Sequence, residues 1–416
     1  MPAYLTQMCI HVFPFTQQPD GEEMIIANAA QSSFLSLPTS AVDILLWLAE
    51  GKTVGEAQAL YEQKYGDYPD IDELLALLES EGFVSSQSAS EGALNTPSAS
   101  GAGPRISSHF TWISENTARL LFSLPVLVGC FLLIGVALAL LLAQPSLFPS
   151  ANVLVFKQHP FVLLFCLFVF NYFAVFFHEI AHLTAARALG IPARLSLGNR
   201  LWALVVQTDV TGIWMVPRRK RYLVVLAGPL LDAVSASLLV VALFSERHGW
   251  LSFSPLLTAF CQAVLYSYFL RLLWECYFFV RTDFYYVFVT LFKCKNLMQD
   301  TQSFLANHLT RVLPIFRYRD LSAIPAREMT IIRLYALLWL VGRFASFYTL
   351  FFISLPVLWG YGVNIVQALA NHSPLEHLSP FDLVSWIAVT LIIIANQGSG
   401  LLLWVRSLLK KTEVKE

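Results

Sequence analysis

Six stretches of this chain are each long and apolar enough to cross a lipid bilayer. Hydrophobic residues make up 56% of the 416 residues, charged residues only 13%, and the mean hydropathy is +0.60. A bilayer core takes about 20 residues of helix to cross, and a soluble domain does not need this much apolar surface. The sequence therefore predicts a mainly α-helical, multi-pass membrane protein, with about six spans near 118–143, 160–188, 219–244, 254–280, 331–357 and 381–406.

The basic residues collect in the connections on one side of this predicted bundle. The loops after the second and fourth spans and the C-terminal tail are rich in Lys and Arg, whereas the opposite connections hold only Lys157 and Arg247. Lys and Arg favour the cytoplasmic side, so we expect both termini to be cytoplasmic. The first residues lack the basic-then-apolar layout of a signal peptide, and we expect them to be retained.

His178 and His182 flank Glu179 within the second predicted span, in the sequence FFHEIAH. Residues i and i+4 of a helix share a face, so both imidazoles can bind one metal ion, and Glu179 could serve as a general base. Ionisable groups are costly in hydrocarbon and mark a functional site there. The alternative, two core histidines and a buried acid, leaves the acid unexplained. We predict a Zn²⁺ site, although these ligand types also accept other divalent metals.

Two histidines leave a tetrahedral zinc ion short of a third protein ligand. Asp283 follows the fourth predicted span, which ends on the same side of the bilayer as the histidine-bearing end of the second span, so Asp283 is a candidate for the third ligand. The alternative is an ordinary helix-end carboxylate in the headgroup region. Asp232, about 15 Å into the third span, could support the site, hold a substrate backbone or bind the metal, or it could be a packing residue. Tyr285 and Tyr286 could donate to an oxyanion, although aromatic packing is more usual at an interface.

Residues 1–85 differ from the rest of the chain in charge. They hold thirteen acidic residues against two basic ones, which disfavours nucleic-acid binding because phosphate contacts need Lys and Arg, and we expect no nucleic-acid partner. Short apolar stretches followed by three capped helical patterns predict a small winged-helix-like α+β domain. A Ser/Ala/Gly-rich stretch predicts a flexible linker over 86–109, and the membrane domain then covers 110–410.

The apolar pattern of residues 20–85, with AVDILLWLAEGKTV and LLALLESEGFV, resembles the PqqD-like domains that recognise precursor peptides. In that family the peptide adds as a strand to a sheet edge beside the last helix. The resemblance implies a groove between the strand around Met24–Ala27 and the helix over 71–78; a generic winged helix is the alternative. The peptide-binding residues that it implies are Met24, Ile25, Ile26, Ile71, Leu74 and Leu75.

The membrane part, over about 110–300, resembles the site-2 protease family of intramembrane zinc metallopeptidases. The resemblance rests on HEIAH (178–182), on AGPLLDA (227–233) and on a later Asp motif, DFYY (283–286), followed by Asn296-Leu297. It implies His178, His182 and Asp283 as zinc ligands and Glu179 as the catalytic base. It also implies a β-hairpin within 191–217 that holds the substrate extended, for which a simple cytoplasmic hairpin is the alternative.

The chain departs from the family pattern at two positions. Phe284 stands where the family has Gly after the liganding Asp, which restricts the backbone there. Asp232 stands where the family usually has Asn.

Together the motifs and the two resemblances imply a zinc endopeptidase of the bacterial inner membrane that processes a ribosomally made precursor peptide. One alternative is regulated intramembrane proteolysis of a membrane-bound regulator. Another is a non-catalytic membrane component that passes peptides to an exporter. The expected partners are the lipid bilayer and a peptide or membrane-protein substrate, with an exporter in the last case.

Overall fold

The computed structural model describes residues 7–20, 23–28, 33–85, 110, 112–154, 160–200, 203–294, 296–310, 319–321, 324–356, 359, 363 and 380–413. The predicted linker, 86–109, lies outside them. The chain divides into two compact units, which are described separately. The first comprises Met1–Glu115, Ala186–Arg194 and Asp209–Tyr222, and the second comprises Asn116–Ala185, Leu195–Thr208 and Leu223–Glu416.

The described residues are mostly helical, as the sequence predicts. The helices are, in chain order, α1 (Thr39–Ala49), α2 (Val54–Tyr65), α3 (Ile71–Ser80), α4 (Glu115–Leu121), α5 (Leu124–Ala143), α6 (Pro160–Ala188), α7 (Arg218–Arg247), α8 (Pro255–Glu275), α9 (Asp283–Phe292), α10 (Leu297–Leu309), α11 (Ala326–Thr349) and α12 (Pro380–Glu413).

Within the part of the chain that the structure describes, six helical segments are long and apolar enough to cross a membrane, the number that the sequence predicts. They are Glu115–Ala143, Phe161–Ala188, Arg218–Arg247, Pro255–Glu275, Ala326–Phe352 and Pro380–Gly400. The fourth segment ends earlier than the predicted residue 280. The backbone N–H groups of Cys276 and Tyr277 bond to Leu273 and Trp274, three residues back, which tightens and ends the helix. Asp283 therefore begins a separate helix, α9.

The N-terminal domain combines three helices with two small sheets. The strands are β1 (His11–Val12), β2 (Thr16–Asp20), β3 (Glu23–Asn28), β4 (Ser33–Pro38) and β5 (Val84–Ser85). β2, β3 and β4 form one antiparallel sheet, and β1 pairs with β5. The sheet and the helices share one apolar core around Ile26, Leu45, Leu48, Leu75 and Phe83.

The strand predicted to accept a peptide is the central strand of its sheet. In β3, Ile25 lies opposite Gln18 of β2 on one side and Ser36 of β4 on the other. Placing an added strand at Met24–Ala27 was therefore wrong, since the alternation of apolar residues identifies a strand but not its neighbours. Three of the other residues implied for the groove, Ile26, Ile71 and Leu75, are buried in the domain core, and Leu74 is half-buried against it.

Asp20, at the end of β2, binds two arginines at the start of α7 within the first unit. Its carboxylate accepts from Nε of Arg218 and from Nη1 of Arg221, the latter at 3.3 Å. The Arg221 side chain is only 3% exposed and also donates to the carbonyls of Trp214 and Val216, at 3.0 and 2.8 Å. Asp20 is thus the carboxylate partner of a buried cation and ties the sheet to the first turn of α7.

Apolar clusters connect the described helices of the second unit. One cluster joins α6, α7 and α8 through residues such as Leu167, Val240 and Leu265. Another joins α9, α10 and α11. β6 (Arg194–Arg200) pairs with β7 (Ala203–Asp209), which confirms the predicted hairpin between the second and third spans.

We expect Asp20→Asn to loosen the contact between β2 and the first turn of α7, together with the segment 211–217 that Arg221 holds. Removing one partner of a buried ion pair costs about 3–5 kcal/mol, because the remaining charge stays buried. Hydrogen exchange should therefore rise in β2 and in residues 211–221. The control is Asp209→Asn, which removes the more exposed ion pair with Arg194, worth less than about 1 kcal/mol. Equal increases in the two variants would contradict this account.

Candidate metal centre

His178, His182 and Asp283 bring one ligand atom each to a common point. The two Nε2 atoms lie 3.1 Å apart, and Oδ2 of Asp283 lies 3.1 Å from Nε2 of His178 and 3.0 Å from Nε2 of His182. Both histidines are buried, and the Asp283 side chain is 14% exposed. The structure thus brings together the three predicted ligands, two from α6 and one from the start of α9.

The spacing of these atoms fits a divalent cation. Ligand atoms at about 2.0–2.1 Å from a tetrahedral zinc ion lie about 3.3 Å apart, close to the three distances observed. Gly228 of α7 backs the cluster, since a Cβ atom built on it would lie 2.4 Å from Nε2 of both histidines. Two imidazoles and a carboxylate suit zinc and several other divalent metals.

The outer nitrogens of both imidazoles have acceptors, which leaves both Nε2 atoms for a cation. Nδ1 of His182 lies 2.7 Å from the carbonyl oxygen of Val224, which can only accept, so this Nδ1 carries the proton. Nδ1 of His178 lies 2.8 Å from Oδ2 of Asp232. Metal-binding histidines usually donate their second N–H to a carbonyl or a carboxylate in this way.

Asp232 of α7 is on the side of the His178 ring away from Asp283. It is 2% exposed, and its carboxylate also accepts from Nη2 of Arg271 in α8, at 2.7 and 3.0 Å. Among the roles that the sequence left open, this position favours support of the site.

Glu275, at the end of α8, holds the backbone that presents Asp283. Its Oε2 accepts the backbone N–H of Asp283 at 2.9 Å, and its carbonyl accepts the hydroxyl of Thr282 at 2.8 Å. Phe284, the departure from the family pattern, lies in the first turn of α9. Among the described non-glycine residues only Phe110 and Lys293 have a positive φ, so Phe284 does not strain the backbone here.

α11 braces the connection between α8 and Asp283. The hydroxyl of Tyr335 donates to the carbonyl of Phe278 at 2.6 Å. Gly342 lies so close to the ring of Phe279 that a Cβ atom there would be 2.0 Å from it. The position of the third ligand therefore depends on a helix distant in sequence.

Glu179 is buried beside the cluster, and the hairpin holds it. The hydroxyl of Thr208 in β7 lies 2.8 Å from Oε2 of Glu179 and 2.9 Å from its backbone carbonyl oxygen. A hydroxyl has one proton, so it donates to one of these acceptors at a time. Sequence reasoning missed Thr208, because no spacing connects a hairpin residue with an acid 29 positions earlier.

The two tyrosines lie in the apolar cluster of α9, α10 and α11. The hydroxyl of Tyr285 accepts the backbone N–H of Met298 at 3.2 Å, and burial raises the pKa of Tyr285 to about 12. Tyr286 packs edge-on against it, with 5.3 Å between the ring centroids. These contacts favour packing over donation to an oxyanion.

Comparisons of the chain with protein-family models, curated proteins and solved structures find no match. Function therefore has to be inferred from the residues and their geometry, together with the motif resemblances.

We expect Gly228→Ala to abolish high-affinity metal binding. The new methyl group would lie 2.4 Å from both Nε2 atoms, so the imidazoles must move apart. Loss of helix propensity cannot account for such an effect, since Ala is the better helix former by about 1 kcal/mol. Metal content, measured beside circular dichroism, checks the outcome. Gly135→Ala in α5, where a Cβ meets nothing within 4 Å, is the matched control; unchanged binding in the Gly228 variant would refute the assignment.

Proposed function

We propose that this protein is a membrane-embedded zinc endopeptidase, the activity that its resemblance to site-2 proteases implies. One observation carries the proposal: His178, His182 and Asp283 converge with 3.0–3.1 Å between their ligand atoms, beside the buried acid Glu179. The histidines and Glu179 belong to a helix that is apolar enough to span a membrane. A cluster of this kind within hydrocarbon is expensive and serves chemistry more readily than packing.

The chemistry divides between the cation and the chain. Zinc, when bound by the two histidines and Asp283, supplies a Lewis acid that polarises the scissile carbonyl and makes water more acidic. Glu179 accepts the proton of the attacking water and returns it to the leaving amine. Thr208 keeps the Glu179 carboxylate in place through its hydrogen bond.

The hairpin of β6 and β7 is the proposed guide for the substrate. A helical peptide keeps its carbonyls in internal hydrogen bonds, so the substrate must be extended to be cut. Thr208 links β7 directly to Glu179. A peptide lying extended along this strand would therefore run past the catalytic base.

The proposed substrate is a ribosomally made precursor peptide that the N-terminal domain recognises. Among the described strands, β2 and β4 are the edges of the larger sheet, and each carries one proline, Pro19 and Pro38, which has no backbone N–H to offer. A peptide would therefore add at one of these two strands, over the part that does not include its proline. The net charge of residues 1–85, near −11, favours a basic peptide.

The proposed location is the bacterial inner membrane, with both termini cytoplasmic. The six apolar helices support a multi-pass protein, and the Lys and Arg distribution supports this orientation. The recognition domain and the end of the second span that carries the histidines would then share the cytoplasmic side.

Two variants test the catalytic proposal. We expect Glu179→Gln to keep one bound metal and to lose cleavage by about 10²–10⁴-fold, because the amide cannot take a proton. His178→Ala should lose the metal as well. Glu246→Gln, near the C-terminal end of α7, is the control and should retain both the bound metal and the cleavage activity. Cleavage by the Glu179 variant at the wild-type rate would disprove the assignment of the base.

The same Glu179 variant distinguishes the competing functions. A soluble precursor that accumulates in cells carrying it, and binds the purified variant, supports peptide maturation. A membrane-spanning protein that accumulates instead indicates regulated intramembrane proteolysis. Purified wild-type protein without bound metal, with neither substrate accumulating, indicates transfer of peptides to an exporter.

We expect Thr208→Val to lower kcat by roughly 10–100-fold while metal affinity stays unchanged. Valine keeps the branched shape but removes a hydrogen bond to a charged group, worth about 1.5–3 kcal/mol. Parallel measurements of cleavage rate and metal affinity check the separation. Reduced metal affinity in this variant would show that Thr208 supports the ligands rather than the base.

A further inference from the structure

We propose that Asp232 and Arg271 form a positioning pair that orients His178 for the cation, an inference that rests on the metal site proposed above. Neither residue touches the point where the three ligand atoms converge. Their effect would pass through one imidazole.

The contacts connect three helices in series. Oδ2 of Asp232 in α7 lies 2.8 Å from Nδ1 of His178 in α6. Nη2 of Arg271 in α8 lies 2.7 Å from Oδ1 and 3.0 Å from Oδ2 of the same carboxylate, and 3.2 Å from the carbonyl oxygen of Ala174 in α6. An arginine only donates hydrogen bonds, so the carboxylate is the acceptor between two donors. Its Oδ2 holds the Nδ1 proton of His178 and leaves Nε2 to the cation.

Arg271 explains why an aspartate is tolerated at this depth. An unpaired carboxylate in an apolar bundle is costly, whereas one that is bound by a guanidinium is compensated. An asparagine at position 232 could offer a single oxygen to both donors and would turn an N–H₂ group towards one of them. The departure from the family's usual Asn and the arginine one helix away are therefore two parts of one arrangement.

His182 is held in a different way. Its Nδ1 lies 2.7 Å from the backbone carbonyl oxygen of Val224, which no side-chain substitution removes. Changes at Asp232 or Arg271 therefore act on one ligand and leave the other in place. A structural ion pair between α7 and α8 would instead change stability without changing how the metal is bound.

The experiment compares Asp232→Asn, Arg271→Gln, Arg271→Lys and the double variant of the first two in the full-length protein. Zinc affinity is measured by chelator competition, and the ligand geometry by the absorption spectrum of bound Co²⁺. We expect each of the first two to weaken zinc binding by about 10–100-fold and to alter the spectrum. The lysine variant should recover part of the loss. The double variant should bind zinc no more weakly than the single variant with the larger loss, because both residues act through His178.

Two control variants match the test variants, one in the burial of the substituted residue and the other in its type. Ser237→Ala removes a buried hydroxyl further along α7, one that bonds only locally to the carbonyl of Ala233. Arg343→Gln removes an arginine from α11, where its guanidinium lies over Trp339. Both variants should bind zinc like the wild type.

The outcomes separate this inference from the function proposed above. Wild-type affinity and spectrum in Asp232→Asn, or additive losses in the double variant, would overturn the positioning pair while the metal site stands. If the wild-type protein binds no metal, the proposed function fails, and ¹⁵N-histidine NMR of the metal-free protein decides the inference. The Nδ1 proton signal of His178 should then shift in both Asp232→Asn and Arg271→Gln; an unchanged signal in both would refute the pair.

Discussion

Burial of charge in an apolar bundle is the constraint on which the described site depends. Side chains that ionise in water are stable among apolar helices only when hydrogen bonds, an opposite charge or a cation compensate them. Here the histidines meet Asp283 on one side, while a carboxylate and a backbone carbonyl hold their outer nitrogens on the other. Glu179 is hydrogen-bonded to the hydroxyl of Thr208, and Asp232 accepts hydrogen bonds from the guanidinium of Arg271. These pairings hold α6, α7, α8 and the start of α9 in one arrangement.

Local patterns predicted the parts of this arrangement that lie within one helix. The six apolar segments follow from length and composition, and the shared face of His178 and His182 follows from helical periodicity. Predicting Asp283 as the third ligand required two further steps: the inference that the second and fourth spans end on the same side of the bilayer, and a motif resemblance. The sequence did not predict that α8 ends at Glu275, because the residues that follow are also apolar. The backbone N–H groups of Cys276 and Tyr277 bond to carbonyls only three residues back, and this change ends the helix.

The contacts that the sequence did not reveal all join residues far apart in the chain. Thr208 binds Glu179 from a hairpin, Arg271 binds Asp232 from the next helix, and Tyr335 braces the approach to Asp283 from a helix further on. Periodicity carries no information about such partners. The same reason explains the error at β3, since alternation within Met24–Ala27 is equally compatible with an edge and with a central strand.

The supports of the three candidate ligands and of Glu179 come from different elements. α7 and α8 orient His178, His182 and the backbone of Asp283, whereas β7 holds Glu179. A change in the hairpin can therefore move the Glu179 side chain without moving a candidate ligand atom, and a change in α7 does the opposite. Under the proposed function, in which the hairpin guides a peptide, substrate preference can vary through β6 and β7 while the helices preserve the arrangement of His178, His182 and Asp283.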